Sequence, residues 1–196
     1  YDHKNIVQSE EIIHSVVSEY KVDLKPKLHA IVIGIDSFKT KKLNLNYAEA
    51  DATLFGTTLY KRGKELFSEV NIHYMRKEDA TTKDAILNKI KSLRKISAND
   101  FFVFYAASHG VVIDDKFFLV TSNVSSSLNK DIKYNGLSED MLRNSLKYVP
   151  TANKLILIDT CYSGGINERV SKKLAETIPV LTLTGSPLPY MVKVML

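Results

Sequence analysis

The chain alternates between two hydrophobic patterns: short unbroken apolar runs, and stretches that return to an apolar residue every three or four positions. Five segments read as strands. They are Leu28 to Ile35, Glu69 to Met75 with Val70, Ile72 and Tyr74 on one side, Phe101 to Ala107, Lys154 to Ile158, and Pro179 to Thr184. Unbroken runs rich in branched and aromatic residues belong to strands covered on both faces. Helical spacing fills the gaps between them. Tyr47 to Arg62 carries Ala48, Ala52, Phe55 and Leu59 on one face, with Gly63 as its stop. The capping sequence Thr81-Thr82-Lys83-Asp84 opens a helix with Ile86, Ile90 and Leu93 inward. Ser138 caps another that turns Met141, Leu142 and Leu146 inward and ends at Pro150. Val111 to Val120, two apolar arms around Asp114-Asp115, predicts a small hairpin rather than a further strand of the sheet, and the polar segment Ser122 to Asn135 predicts a loop. At the ends, Ile6, Ile13, Val17 and Tyr20 predict an amphipathic helix, Asn167 to Glu176 another helix, and Met191 to Leu196 a short apolar piece.

Strands alternating with helices imply an α/β fold: a mostly parallel central sheet, right-handed crossovers and helices on both faces. A length of 196 residues fits one domain with a short extension. Residues 1–27 read as a helix and linker that docks on the domain or belongs to a preceding one, and residues 28–196 as the domain itself. The chain begins with Tyr1 and a polar segment, so it is expected to be a piece of a longer protein.

Composition narrows the function. The apolar share of 44% and charged share of 25% are those of a globular protein, and no apolar run approaches the roughly 20 residues that cross a bilayer. No membrane partner is expected. The net charge is +5, but the lysines are scattered from Lys4 to Lys193 with no dense stripe interleaved with aromatics, so nucleic acid is not an expected partner either. One cysteine excludes an intrachain disulfide and fits a reducing compartment, so a cytoplasmic location is expected. His29, at the start of its strand, reads as a strand-edge histidine.

Two strand ends carry the chemistry. The third strand runs into Ser108-His109-Gly110, and the fourth into Asp159-Thr160-Cys161-Tyr162-Ser163-Gly164-Gly165. Reactive groups of parallel sheets collect just past the carboxyl ends of the strands. A thiol with an ordinary pKa of about 8.5 becomes an effective nucleophile beside an imidazole. The glycines let backbone amides approach a ligand, and the amides of Gly110 and Cys161 suit a developing oxyanion. A lone cysteine is usually a small buried hydrophobe, and His-Gly is common at strand ends. Together, each closing an apolar strand, they point to a site. Their separation of roughly 50 residues agrees with the general caspase spacing, which is a match to a known pattern.

In five segments the chain resembles the caspase-like cysteine peptidases, most closely their metacaspase and bacterial branch. These are Ala30-Ile31-Val32-Ile33-Gly34-Ile35, Leu45-Asn46-Tyr47-Ala48-Glu49-Ala50-Asp51-Ala52, Asp79-Ala80-Thr81, Phe104 to Gly110, and Asp159 to Gly165. The resemblance implies a three-layer caspase-like fold, Cys161 as nucleophile, His109 as general acid and base, and peptide hydrolysis through an acyl-enzyme. It also implies a substrate pocket drawn from Asp51, Asp159 and Ser108. Animal caspases carry Gln-Ala-Cys at the nucleophile and a basic pocket that selects aspartate. Here Asp159 stands two residues before Cys161, so the resemblance implies a protein or peptide substrate with Arg or Lys before the cut. Opposite charges 4 Å apart at an effective dielectric near 20 gain about 4 kcal/mol before desolvation. On the residues alone, Asp51 stays open as a solvated helix-face residue or a lysine's partner, and Asp159 as the cap of the following turn.

Members of this family cut themselves after the cysteine, which makes Arg169, Lys172 and Lys173 autocleavage candidates; the other reading is a solvated helix face. Bacterial members often adjoin sensor or repeat domains, so such an upstream partner is a further expectation. Calcium enters only because some metacaspases need it. Asp114 and Asp115 read as turn formers, no oxygen-rich loop of the EF-hand kind is present, and no metal or other cofactor is expected. The alternatives are a catalytically idle caspase-like interaction scaffold and, behind it, a hydrolase of another acyl substrate.

Overall fold

The computed structural model describes residues 25–162, 180–185 and 191–193. The expected N-terminal helix, Gly164 and Gly165, the helix from Asn167 to Glu176, and Arg169, Lys172 and Lys173 within it lie outside the described residues. In chain order the elements are β1 (Lys27–Gly34), α1 (Ala48–Leu66), β2 (Glu69–Met75), α2 (Lys83–Ser92), β3 (Phe101–Ile113) and β4 (Lys116–Leu119). They continue with α3 (Asn129–Asn135), β5 (Leu137–Ser138), α4 (Glu139–Leu146), β6 (Asn153–Tyr162), β7 (Val180–Gly185) and β8 (Met191–Lys193).

The sheet runs β2-β1-β3-β6-β7-β8. Its neighbours are parallel up to β7, and β8 closes the edge antiparallel. From β1 the chain winds outward to β2 and then back across β1 to β3. Right-handed crossovers in opposite directions put their helices on opposite faces of the sheet. Accordingly, α1 packs on the face made by Ala30, Val32, Val103, Tyr105, Ala107 and Leu157. Helices α2, α3 and α4 cover the face made by Ile31, Ile33, Phe102, Phe104, Ile156 and Ile158. This is the layered α/β sheet that the alternating pattern implies. The reversal of winding also leaves a crevice at the carboxyl ends of β1 and β3, where ligands of such sheets bind. Among the described residues, no helix is long and apolar enough to cross a membrane.

Several elements differ from the sequence reading, each for a visible reason. Helix α1 runs through Gly63 to Leu66 instead of stopping there. A Cβ at position 63 would stand 3.1 Å from Val70 Cγ2 and 3.3 Å from Leu28 Cδ2, so this glycine lets the helix lie close on β1 and β2. The cap of α2 is Thr82, whose side chain accepts from the Ala85 amide. Ser138 does cap α4, and Leu142 and Leu146 are buried as expected, but Met141 is 39% exposed. The hairpin at Asp114-Asp115 forms with both residues at positive φ, 51° and 57°, as a two-residue turn requires. It is not separate from the sheet, however: its first arm is the end of β3, and β4 pairs back on it.

The segment Ser122 to Asn135 is not all loop, since its end forms α3. Asp131 organises it. Its carboxylate accepts from the amides of Ser125 (2.7 Å) and Ser126 (2.6 Å), from both their hydroxyls, and from Asn135 Nδ2. Burial works against the charge, but the bonds from Asn135, Ser125 and Ser126 prevail and hold the carboxyl down to about 2. Asp131→Ala is therefore expected to cost about 2 kcal/mol in urea unfolding at pH 7, the usual worth of hydrogen bonds to a charged group. Because the folded-state value is depressed, the contribution is complete above the ordinary carboxylate range near 4 and fades as pH falls toward 2. The gap between wild type and variant should close over that window; a gap independent of pH would remove the charge from the explanation.

Candidate active site

Strands β1, β3 and β6 bring the site together in register. Strand β1 pairs with β3 as far as Gly34 opposite Ala107. From Gly110 onward the same edge of β3 is taken by β4. Between these two partners lie Ser108 and His109. Into the interval comes the loop between β1 and α1: Ile35 donates its amide to Ala107 O (3.1 Å), while Val120 N donates to His109 O (2.9 Å) from the β4 side. The sequence reading put His109 and Cys161 just past the strand ends. Both instead sit within longer strands, because β3 continues into the hairpin and β6 runs to Tyr162.

On the other side of β3, His109 is the direct partner of Cys161 in β6, and Ala107 is the partner of Asp159. Neighbouring strands lie roughly 4.8 Å apart, and side chains alternate between faces with period two. Positions 105, 107 and 109 of β3 and 157 and 159 of β6 therefore share the face that α1 covers. The imidazole is half-buried on that face. Its Nε2 lies 2.8 Å from Leu43 O, and its ring sits 5.4 Å from that of Phe38, centroid to centroid. A carbonyl can only accept, so Nε2 carries a hydrogen and, in the neutral ring, Nδ1 holds the lone pair. The tautomer is thus set by a backbone oxygen of the β1–α1 loop.

That loop is held by residues the sequence reading did not single out. Asp36 Oδ1 accepts from the Ala48 amide (2.8 Å) and Oδ2 from the Glu49 amide (3.3 Å), so a side chain distant in sequence caps α1. The Asp36 carbonyl accepts from Leu45 N (2.8 Å), and Asn44 Oδ1 accepts from Phe38 N (3.0 Å). Helix capping is ordinarily read from the residue next to the helix, and here Tyr47 in that place makes no side-chain capping bond. Nothing local in the sequence marks Asp36, Phe38 or Leu43 as belonging to a site.

Beside His109 a pocket of about 240 Å³ opens, walled by residues 44–48, Asp51, Ala107, Ser108 and Asp159. Among the described residues lining it, the charged side chains are Asp51 and Asp159. The expected pair of acids therefore meets at one place, Asp51 from α1 and Asp159 from β6. Tyr105 donates its hydroxyl to Asp159 Oδ2 (3.3 Å) and is stacked on Phe55 at 4.3 Å and 12°. Burial raises the Asp159 carboxyl above its ordinary value, the Tyr105 bond opposes this, and the charge of Asp51 adds to it. Burial, then the two carboxylates, push the Tyr105 phenol well above its ordinary range, so it remains a donor.

Ser108 borders the pocket, but its buried hydroxyl donates to Val120 O (2.7 Å). Gly110 lies between Leu119 of β4 and Tyr162 of β6. A Cβ there would stand 2.8 Å from both the Phe117 ring and Thr160 Oγ1, so these two side chains fill the space beside the site that any residue but glycine would need. His29 is at the opposite end of the sheet, with Nε2 3.3 Å from Asp100 Oδ2, and joins the starts of β1 and β3. Among the described residues, no group of three or more His, Cys, Asp or Glu is placed to hold a metal ion.

The fold has counterparts among solved structures. The crystal structure of a protein from Geobacter sulfurreducens superposes with a TM-score of 0.56 at 16% identity, covering 82% of this chain and 73% of that one. The structure of pro-sf-caspase-1 aligns with a TM-score of 0.45 at 15% identity, over 80% of this chain and 57% of its own. The first of these likenesses bears on the fold alone. No curated protein matches the chain. The sequence profile of the caspase domain, a peptidase family, matches residues 27–184, a span that takes in β1 through most of β7 with His109 and Cys161 inside it. The chain belongs to the caspase domain family.

Proposed function

We propose that this chain is a metacaspase-like cysteine endopeptidase that cuts protein substrates after Arg or Lys, with Cys161 as nucleophile and His109 as its acid and base. The observation that carries this reading is the pairing of His109 with Cys161 across two adjacent strands, beside a pocket whose charged walls are Asp51 and Asp159. With Nε2–H given to Leu43 O, the imidazole has Nδ1 available to take the thiol proton. The sulfur then attacks the substrate carbonyl carbon. The negative charge moves to its oxygen, which the amides of Gly110 and Cys161 are proposed to receive. The imidazolium gives its proton to the departing amine as the C–N bond breaks and a thioester remains. Water, deprotonated by the same imidazole, hydrolyses the thioester and restores the thiol.

The side chain before the cut enters the acidic pocket, where two carboxylates favour a cation over the acidic residue that animal caspases select. Autoprocessing after Arg169, Lys172 or Lys173, an upstream sensor or repeat domain, and a cytoplasmic setting belong to the same proposal; they rest on the family resemblance and on the single cysteine. The test is a matched set of fluorogenic peptides differing only in the residue before the cut, assayed with wild type and Cys161→Ala beside intact-mass analysis of both. Cleavage after Arg and Lys is expected, lost in the variant, together with chain fragments confined to the wild type. Equal turnover after Asp and Arg defeats the pocket assignment. Activity that survives Cys161→Ala defeats the mechanism, and a wild type inert toward every peptide favours the scaffold.

A further inference from the structure

The aromatic residues of β3 are not equivalent. Phe102 and Phe104 are fully buried on the face covered by α2 and α4 and contribute hydrocarbon alone. Tyr105 lies on the α1 face, where its ring is stacked on Phe55 and its hydroxyl reaches Asp159. Packing by itself requires only the ring. The hydroxyl is the one side-chain donor to Asp159 among the described residues, and it occupies Oδ2, leaving the second oxygen for another partner.

We propose that Tyr105 is a positioning residue for the pocket, its phenol holding Asp159 oriented and ionised so that the free oxygen can receive the cationic end of a substrate side chain. This rests on reading the pocket as a cation site. Among the described residues, the groups facing Asp159 leave Tyr105 in that role. Asp51 on α1 is a like charge, Tyr47 on the β1–α1 loop borders the same pocket, and β7 sets Leu183 opposite Asp159 in register. None of these is a cation. A half-buried carboxylate beside a second one tends to take up a proton, and Tyr105 supplies the opposing bond.

The experiment uses 13C-aspartate-labelled chains carrying Cys161→Ala, with and without Tyr105→Phe, and follows the Asp159 carboxyl carbon through pH. Asp159→Asn assigns the signal. Reading Asp159 directly keeps His109 out of the measurement. Losing the phenol is expected to raise the Asp159 midpoint by about half to one pH unit and to weaken benzamidine binding near that midpoint roughly threefold to tenfold, the effect of one hydrogen bond to a charged group. A purely structural phenol would change the unfolding temperature and leave the midpoint where it was. That result, or unaltered benzamidine affinity beside normal wild-type binding, overturns the proposal. Phe55→Leu, which loosens the stack but keeps the hydroxyl, should move the midpoint in the same direction by less, and supplies the test should Tyr105→Phe fail to fold. Whether benzamidine binds the wild type at all tests the cation-site reading separately, because the Asp159 shift reports on Tyr105 whichever way benzamidine behaves.

Discussion

His109→Ala is expected to lower kcat/KM on a peptide with Arg before the cut by at least about 10³-fold, with the fold unchanged. The magnitude follows from the proposed role. A residue that both deprotonates the nucleophile and protonates the leaving group serves two steps, and general acid–base catalysis alone contributes roughly 10²- to 10⁴-fold. The geometry adds a more discriminating arm. Nε2 is engaged by Leu43 O, and the Phe38 ring lies 5.4 Å from the imidazole at a tilt of 41°, so the two together hold the orientation of the ring. Replacement of Phe38 by Ala should therefore reduce kcat several-fold with little change in KM, since it frees the ring to turn without touching the pocket. Steady-state kinetics checks both, with circular dichroism to show the sheet intact. Retention of more than a tenth of wild-type activity in His109→Ala would take the histidine out of the mechanism.

Asp159→Ala should have the second largest effect, a loss of about 10²-fold in kcat/KM for substrates with Arg or Lys before the cut and little loss for an uncharged residue there. A carboxylate partly withdrawn from water interacts with a cation far more strongly than one on the open surface, and truncating one partner of such a pair costs several kcal/mol. Asp51 is exposed, so Asp51→Ala should cost less. The pH dependence separates charge from shape. Burial first, and Asp51 with it, raise the Asp159 carboxyl despite the Tyr105 bond. Only the ionised form attracts a cation, so activity on basic substrates should fall with decreasing pH sooner than an ordinary carboxylate would allow. Asp159→Asn should abolish that limb together with most of the affinity. A limb that persists in Asp159→Asn, or equal losses on basic and uncharged substrates, would show that the pocket selects by shape.

Much of the scaffold was legible because burial on two faces leaves a plain mark. The run Phe101 to Ala107 and the run Lys154 to Ile158 are apolar at nearly every position because both faces of a central strand are covered, and they read as strands on that ground. The inward positions of α2 were readable for the related reason that a helix covered on one side repeats every three or four residues. Legibility failed where the determining partner was distant in sequence. Gly63 has the look of a helix stop and is instead a contact with Leu28 and Val70. The polar segment ending in α3 was illegible for a different reason: it has no hydrophobic stripe, and one carboxylate organises it locally by gathering donors from Ser125, Ser126 and Asn135.

The candidate site divides in the same way. The amino-acid order by itself determined that a histidine and a cysteine follow two apolar runs, that acids stand at positions 51 and 159, and that the strands alternate with helices; these are properties of residue type and spacing, and periodicity carries them. Only the tertiary structure decided which backbone oxygen orients the imidazole, that β4 relieves β1 as the partner of β3 on either side of His109, that the acids of α1 and β6 face a common pocket, and that a tyrosine reaches one of them. Each of those depends on strand order and on the path of the loop after β1. Strand order comes from the competition among whole apolar faces for cover, a sum over the entire core that no local stretch of sequence contains.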